Sequence, residues 1–351
     1  MMRNVAHRLP SLDGLRAVSI GLVIAFHMVG MTAFGGAFAN IGNLGVRIFF
    51  VISGFLITGL LLKEQERTGA ISLRRFYARR TLRIFPAFYT FLAVIGICAA
   101  TGLITVHKFD LLEAGTYIIN YFPGSQHSHY VRHIWSLSVE EQFYLLWPCV
   151  LSLAGRRRGF MVAAAFIVIA PALRLIYWFF VPQMHDVMDR AFETVADALA
   201  TGCLLAGAQA WLASQPRYNR FLRSVAFYLV PLVVILDSVF LTPHPRATYG
   251  VGITILNVGI ALCIDRWVRY PEGVAGTMLN SAPFRAVGVL SYSLYLWQQP
   301  FLDSDIRSAP ALILRLLAVA ACSVVSFFLI EQPFQRLRSR VSPTAPDSRR
   351  E

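Results

Sequence analysis

The chain has 351 residues, of which 56% are hydrophobic and only 15% charged, and it carries a formal net charge of +13. Soluble domains hold roughly 25% charged residues, so the composition excludes a soluble globular enzyme and indicates an all-α, polytopic membrane protein. The positive charge does not indicate a nucleic-acid partner, because the cations lie between apolar runs, where membrane-orientation signals sit.

In chain order, about ten runs have the length of a transmembrane helix: 12–33, 43–62, 84–102, 136–154, 159–181, 192–212, 224–241, 249–265, 286–302 and 310–330. Residues 111–123 are apolar but too short to cross, and read as an interfacial or re-entrant piece. The first run is long and lacks a small-residue cleavage site, so it is not expected to be a cleavable signal. Residues 9–335 form the membrane domain. The tail 341–351, VSPTAPDSRRE, is polar and is expected to be a disordered cytoplasmic segment.

Charge placement tests this count. With the N-terminus inside, 23 of the 32 Lys and Arg residues fall on the cytoplasmic side and five outside. Arg16, Arg47, Arg174 and Arg315 lie within spans. The bias follows the positive-inside rule and puts both termini in the cytoplasm. The five cysteines (Cys98, Cys149, Cys203, Cys263, Cys322) all lie in apolar runs without a CxxC, so they read as small hydrophobes and not as a disulfide or metal framework. No metal site is expected.

The first span carries Arg16 and His27. Eleven helical steps of about 100° return to within roughly 20° of the same face and separate the two by roughly 16 Å. Intramembrane ionisable groups are expensive and usually functional. His27 reads either as a histidine hydrogen-bonded between helices or as a general base for a hydroxyl. Arg16 reads either as a cation snorkelling to the interface or as part of the site.

The cytoplasmic loop Leu73–Pro86, LRRFYARRTLRIFP, interleaves five arginines with Phe76, Tyr77 and Phe85. It reads as a lipid-headgroup anchor or as a clamp for a phosphorylated ligand, since arginine forks match phosphate. Arg80 and Arg83 share a helix face. In Ile134–Pro148, IWSLSVEEQFYLLWP, Ser138-x-x-Glu141 fits a capping box. That leaves Glu140 free to orient an imidazole or bind a sugar hydroxyl. Glu193, Asp197 and Asp237 are carboxylates in or near spans, which would also suit a cation-coupled transporter. SYSLYLWQQP (291–300) reads as packing plus hydrogen bonding.

Five blocks in order, SLDGLRAVSIGLVIAFH, GVRIFFVISGFLITGLLL, RRFYARRTLRIFP, IWSLSVEEQFYLLWP, and SYSLYLWQQP with EQPF, cover about residues 9–335. In them the chain resembles the acyltransferase-3 family of integral membrane acyltransferases, which O-acetylate bacterial polysaccharides, lipopolysaccharide O-antigens and nodulation factors. The resemblance implies His27 as the catalytic residue with Arg16, a role for Glu140 and Glu141, and acyl-CoA binding by Arg80 and Arg83, with Arg79 beside them. It implies no permanently bound cofactor. Acyl-CoA, most simply acetyl-CoA, is the co-substrate, and the acceptor is a glycan or lipid-linked sugar of the envelope. The expected location is the bacterial inner membrane, among its lipids. Arg47 stands where many members have an acid, and Gln298 where many have histidine. The stand-alone form, without a soluble SGNH-type domain, is expected. The rival expectation is a multi-span transporter or exporter of a glycan or small solute. No matching broken helices in two halves are visible to support it.

Overall fold

The structure is a computed structural model and describes residues 9–29, 35–240, 244–302 and 308–341. The expected tail beyond Val341 lies outside the described residues. The helices in order are α1 (Pro10–Val29), α2 (Gly35–Thr68), α3 (Leu73–Ala100), α4 (Asp110–Gly115), α5 (Ile134–Phe180), α6 (Phe192–Ala213), α7 (Pro216–Arg223), α8 (Leu229–Phe240), α9 (Pro245–Ala247), α10 (Ile253–Arg269), α11 (Val274–Leu279), α12 (Ala282–Gln298), α13 (Ala309–Ser326) and α14 (Gln332–Val341). Among the described residues there is no strand.

Among the described residues, seven helical stretches are long and apolar enough to cross a membrane: Pro10–Met28, Ile41–Thr68, Leu73–Ala100, Ile134–Phe180, Phe192–Ala213, Pro245–Arg269 and Ala309–Leu337. An eighth is added if Pro216–Arg223 and Val225–Val239, bent by 70°, form one span. Two features account for much of the difference from ten. α5 has 47 residues, roughly 70 Å at the helical rise, about twice a hydrocarbon core. It is broken at Gly155 (φ 76°, ψ 170°), a conformation open to glycine because it has no Cβ, and Arg156, Arg157 and Arg158 follow directly. The break falls between the two expected spans 136–154 and 159–181, so this one long stretch holds two helices joined at a kink. α12 has 17 residues, short of the roughly 20 that a bilayer needs.

Two local expectations are corrected. Leu73–Pro86 is not a loop but the first turns of α3. Arginine and leucine are good helix formers, and α3 continues through Pro86. The capping box is also absent. α5 starts at Ile134, four residues before Ser138, whose hydroxyl donates back to the Ile134 carbonyl at 3.2 Å. Glu141 is thus well inside the helix and free of a capping role.

The centre of the bundle is α2, packed against α1 on one side and α6 on another, while α12 covers α1. Between helices in lipid, small residues and polar contacts replace the hydrophobic effect as the main attraction. A Cβ at Gly54 would collide with the Leu199 carbonyl, and one at Gly202 with that of Val51, so two glycines let α2 and α6 touch backbone to backbone. α2 is tied to α5 by polar contacts. Trp147 donates to Thr58 at 2.8 Å, and Tyr144 donates to Ser53 at 3.1 Å.

The apolar 111–123 stretch does not cross. It folds as α4 and short 3₁₀ turns, in contact with α3 and α5. Gln142 of α5 anchors it, donating to the Tyr117 carbonyl (2.8 Å) and Asn120 (2.9 Å).

Candidate active site

A cavity of about 90 Å³ lies between α1, α2, α3, α5 and α12. Its charged lining consists of Arg16 from α1, Arg80 and Arg83 from α3, and Glu140 and Glu141 from α5. Five of the seven residues singled out in the sequence thus meet in one place. The helical register of α3 explains which arginines take part. Phe76, Arg80, Arg83 and Ile84 share one face, and the last three line the cavity. Arg79 points elsewhere and donates to Glu64 at 3.0 Å, with Arg75 3.6 Å from the same carboxylate.

Glu140 is held on both oxygens. Ser53 donates to one at 2.6 Å and Tyr144 to the other at 3.3 Å. The Arg80 guanidinium lies over the Tyr144 ring, 4.7 Å from its centroid, a cation–π contact that also fixes its fork. Arg16 is 3.5 Å from Asp13, one turn back on its own helix. Three cations against two carboxylates leave the cavity net positive, suited to phosphate groups.

His27 does not line this cavity. It sits on the same face of the unbroken helix α1 as Arg16, roughly 16 Å further along. Its Nδ1 lies 2.9 Å from the Val23 carbonyl. A carbonyl only accepts, so in the neutral ring Nδ1 carries the hydrogen and Nε2 keeps its lone pair. This is the tautomer a general base needs. His129, Arg132 and His133 are within electrostatic reach of this end of α1.

Sequence reading assigned no role to several residues that line the cavity: Ser53, Ser136, Tyr144, Ser291, Tyr292 and Tyr295. The block 291–300, read as packing and hydrogen bonding, supplies three of them. Tyr292 donates to the Ile84 carbonyl at 3.0 Å, and Tyr295 to that of His133 at 2.8 Å. Glu331, in the π-turn Phe327–Glu331, is buried and accepts from Ser293. The hydroxyl-rich SYSLY run was the available signal for this wall.

Two of the three carboxylates that favoured a transporter, Asp197 and Glu193, have partners. Asp197 is fully buried and accepts from Arg174, equally buried, at 2.9 Å, with Arg47 3.9 Å away on its other oxygen. Glu193 accepts from Tyr177 at 3.3 Å. Arg47, placed where an acid was expected, therefore meets an acid from α6. Among the described residues one group, Asp110, Glu113 and His127, has three side chains close enough together to hold a metal ion. It lies outside the cavity. One Asp110 oxygen is 2.9 Å from His127 Nδ1, and the other accepts the Ser128 and His107 amides, which ties the turns together.

A family model described as an acyltransferase domain matches residues 9–331. The chain is 28% identical over 357 residues to the peptidoglycan O-acetyltransferase OatA of Listeria monocytogenes, covering 93% of this chain and 56% of that protein. It is 30% identical over 353 residues to the O-acetyltransferase OatA of Staphylococcus aureus, covering 93% and 57%. The chain therefore spans a little over half the length of these relatives. No solved structure matches it.

Proposed function

The chain belongs to the acyltransferase-3 family, and from that premise we propose that it is a membrane O-acyltransferase. It moves an acyl group, most simply acetyl, from acyl-CoA to a hydroxyl of a cell-envelope glycan. The observation that carries this reading is the convergence of Arg16, Arg80, Arg83 and Glu140 on one cavity, with His27 on the Arg16 face of α1. Relatives named as O-acetyltransferases support the reaction type, and the one named for peptidoglycan supports a glycan acceptor.

In this reading the protein crosses the bacterial inner membrane about ten times with both termini in the cytoplasm. The arginine side of the cavity faces the cytoplasm, and His27, beyond its lining, lies toward the outer side. The arginines bind the phosphates of acyl-CoA, and its narrow pantetheine arm runs along the cavity toward His27. The acceptor hydroxyl enters from the outer side. His27 Nε2 takes the hydroxyl proton, the oxygen bonds to the thioester carbonyl carbon, and the C–S bond breaks. The proton then passes to the leaving thiolate. Glu140 keeps Ser53, Tyr144 and the nearby arginines in place. Donor and acceptor lie on opposite sides of the membrane, which is why such a transfer needs an integral membrane protein.

The test is mass spectrometry of envelope glycans from cells with the wild-type protein, without it, and with His27→Ala. An alkali-labile acyl increment present only with wild type is the expected result. Identical glycans in all three, with no turnover of labelled acetyl-CoA in isolated membranes, would overturn the reading.

A further inference from the structure

Along α5, Ser136, Glu140 and Tyr144 recur at spacings of four residues and all three line the cavity. His133 precedes Ser136 by three residues and has helical backbone angles (φ −68°, ψ −17°), so it extends this stripe by one turn. From His133 to Tyr144 is eleven residues, the same interval as from Arg16 to His27 on α1. Arg16 interacts electrostatically with Glu140 and Tyr144, and His27 with His133. Arg16, Glu140 and Tyr144 line one cavity and His27 and His133 are within electrostatic reach of each other, so the two stripes, about 16 Å each, run alongside one another in opposite directions. At one end they present Arg16 and Tyr144, with Glu140 one turn in, and at the other two imidazoles.

His133 is 4% exposed. Its ring lies edge-on to Phe91 (centroids 5.7 Å apart) and beside Tyr295 (5.4 Å). Among the described residues neither of its ring nitrogens has a hydrogen-bond partner within bonding geometry. The Leu296 carbonyl is close but outside hydrogen-bond geometry. The neighbouring His129 differs, since both its nitrogens are engaged by Gln299, at 2.6 and 3.2 Å. A neutral imidazole carries one N–H and one lone pair. Burying both without partners is unfavourable and occurs where a ligand group completes the bonding.

We propose that His133 binds the acceptor hydroxyl together with His27, a role that rests on the acyl-transfer reading above. The hydroxyl gives its proton to His27 Nε2 while its oxygen accepts the N–H of His133. This aims the oxygen at the thioester carbon, and bond making and breaking then follow as already described. His133 is thus a substrate-positioning residue, and the ligand it selects is an alcohol, such as a sugar hydroxyl.

The experiment uses isolated membranes holding the full-length protein and their own glycan, with labelled acetyl-CoA as donor. His133→Phe keeps an aromatic ring against Phe91 and Tyr295 but loses both polar nitrogens. His133→Gln keeps a donor and an acceptor. The phenylalanine variant should lose about 100-fold or more in transfer rate, with the apparent KM for acetyl-CoA unchanged. The glutamine variant should stay within about tenfold of wild type. Stabilisation of the detergent-purified variants by coenzyme A, which reads the arginine end, should match wild type. If the phenylalanine variant fails to fold, His133→Met provides the apolar comparison. Transfer by the apolar variant within about threefold of wild type would overturn the proposal, because His133 would then be only packing. Equal loss in the apolar and glutamine variants would overturn it too. A wild type that never transfers from acetyl-CoA would instead remove the underlying reading, a result distinct from either.

Discussion

Arg16 and His27 share one face of α1 but not one cavity. Arg16 lines the charged cavity with Glu140, whereas His27 lies beyond its lining, with Nδ1 committed to the Val23 carbonyl at 2.9 Å. The two therefore stand apart along one helix face and do not form a contact dyad. Donor binding and proton transfer should be separable by mutation.

The arginines on α3 should divide by face. Arg80→Ala with Arg83→Ala removes two cations from the cavity and should raise the apparent KM for acyl-CoA. It should also abolish thermal stabilisation by coenzyme A, which amounts to about 2.7 kcal/mol at a hundredfold excess over Kd. Arg79→Ala should leave coenzyme A binding nearly intact, because Arg79 is bonded to Glu64. Thermal-shift titration of the purified protein checks both.

Glu140→Ala should destabilise the protein as well as inactivate it. It strips the acceptor from Ser53, at about 1–3 kcal/mol for the hydroxyl left unpaired, and leaves Tyr144 with Ser53 as its acceptor. Glu140→Gln keeps one acceptor oxygen and should unfold nearer to wild type. Comparing unfolding midpoints of the two variants tests whether this side chain is a hydrogen-bonding hub.

The Arg174–Asp197 pair, with both side chains 0% exposed, should be essential to stability and indifferent to donor binding. Asp197→Ala leaves Arg174 buried without its counter-ion and should cost about 3–5 kcal/mol. Replacing both partners with apolar residues should recover much of that loss. A cation-coupled transporter would lose ion coupling in the double variant, whereas here unfolding curves should carry the whole effect.

Asp110 lies outside the spans, in the turns that His127 and Ser128 close. Burial pushes its carboxyl up, but hydrogen bonds from Ser128, His127 and the His107 amide outweigh burial and hold it below its ordinary 3.8. A carboxyl lowered by folding contributes stability above its unfolded pKa, and that stability is lost as pH falls through the folded value. Wild type should therefore lose stability below about pH 4. Asp110→Asn should be less stable than wild type at neutral pH and lose less on acidification. Thermal unfolding across acid pH measures the difference.

The order of residues alone settled the helical membrane architecture, because an apolar run of about 20 residues has few alternatives in lipid. It also determined that Arg16 and His27 share a face, since register within one helix is a local property. Five motif blocks were enough to identify the family. What the tertiary structure decided was which faces meet. It chose Arg80 and Arg83 over Arg79, gave Glu140 its partners on α2 and α5, paired Asp197 with Arg174, and brought His133 within electrostatic reach of His27. In a soluble helix the apolar stripe reveals the buried face. In lipid both faces are apolar, and helices associate through small residues and polar contacts between distant parts of the chain. Pairings such as Ser53 with Glu140, 87 residues apart, leave no periodic trace for sequence reading to find.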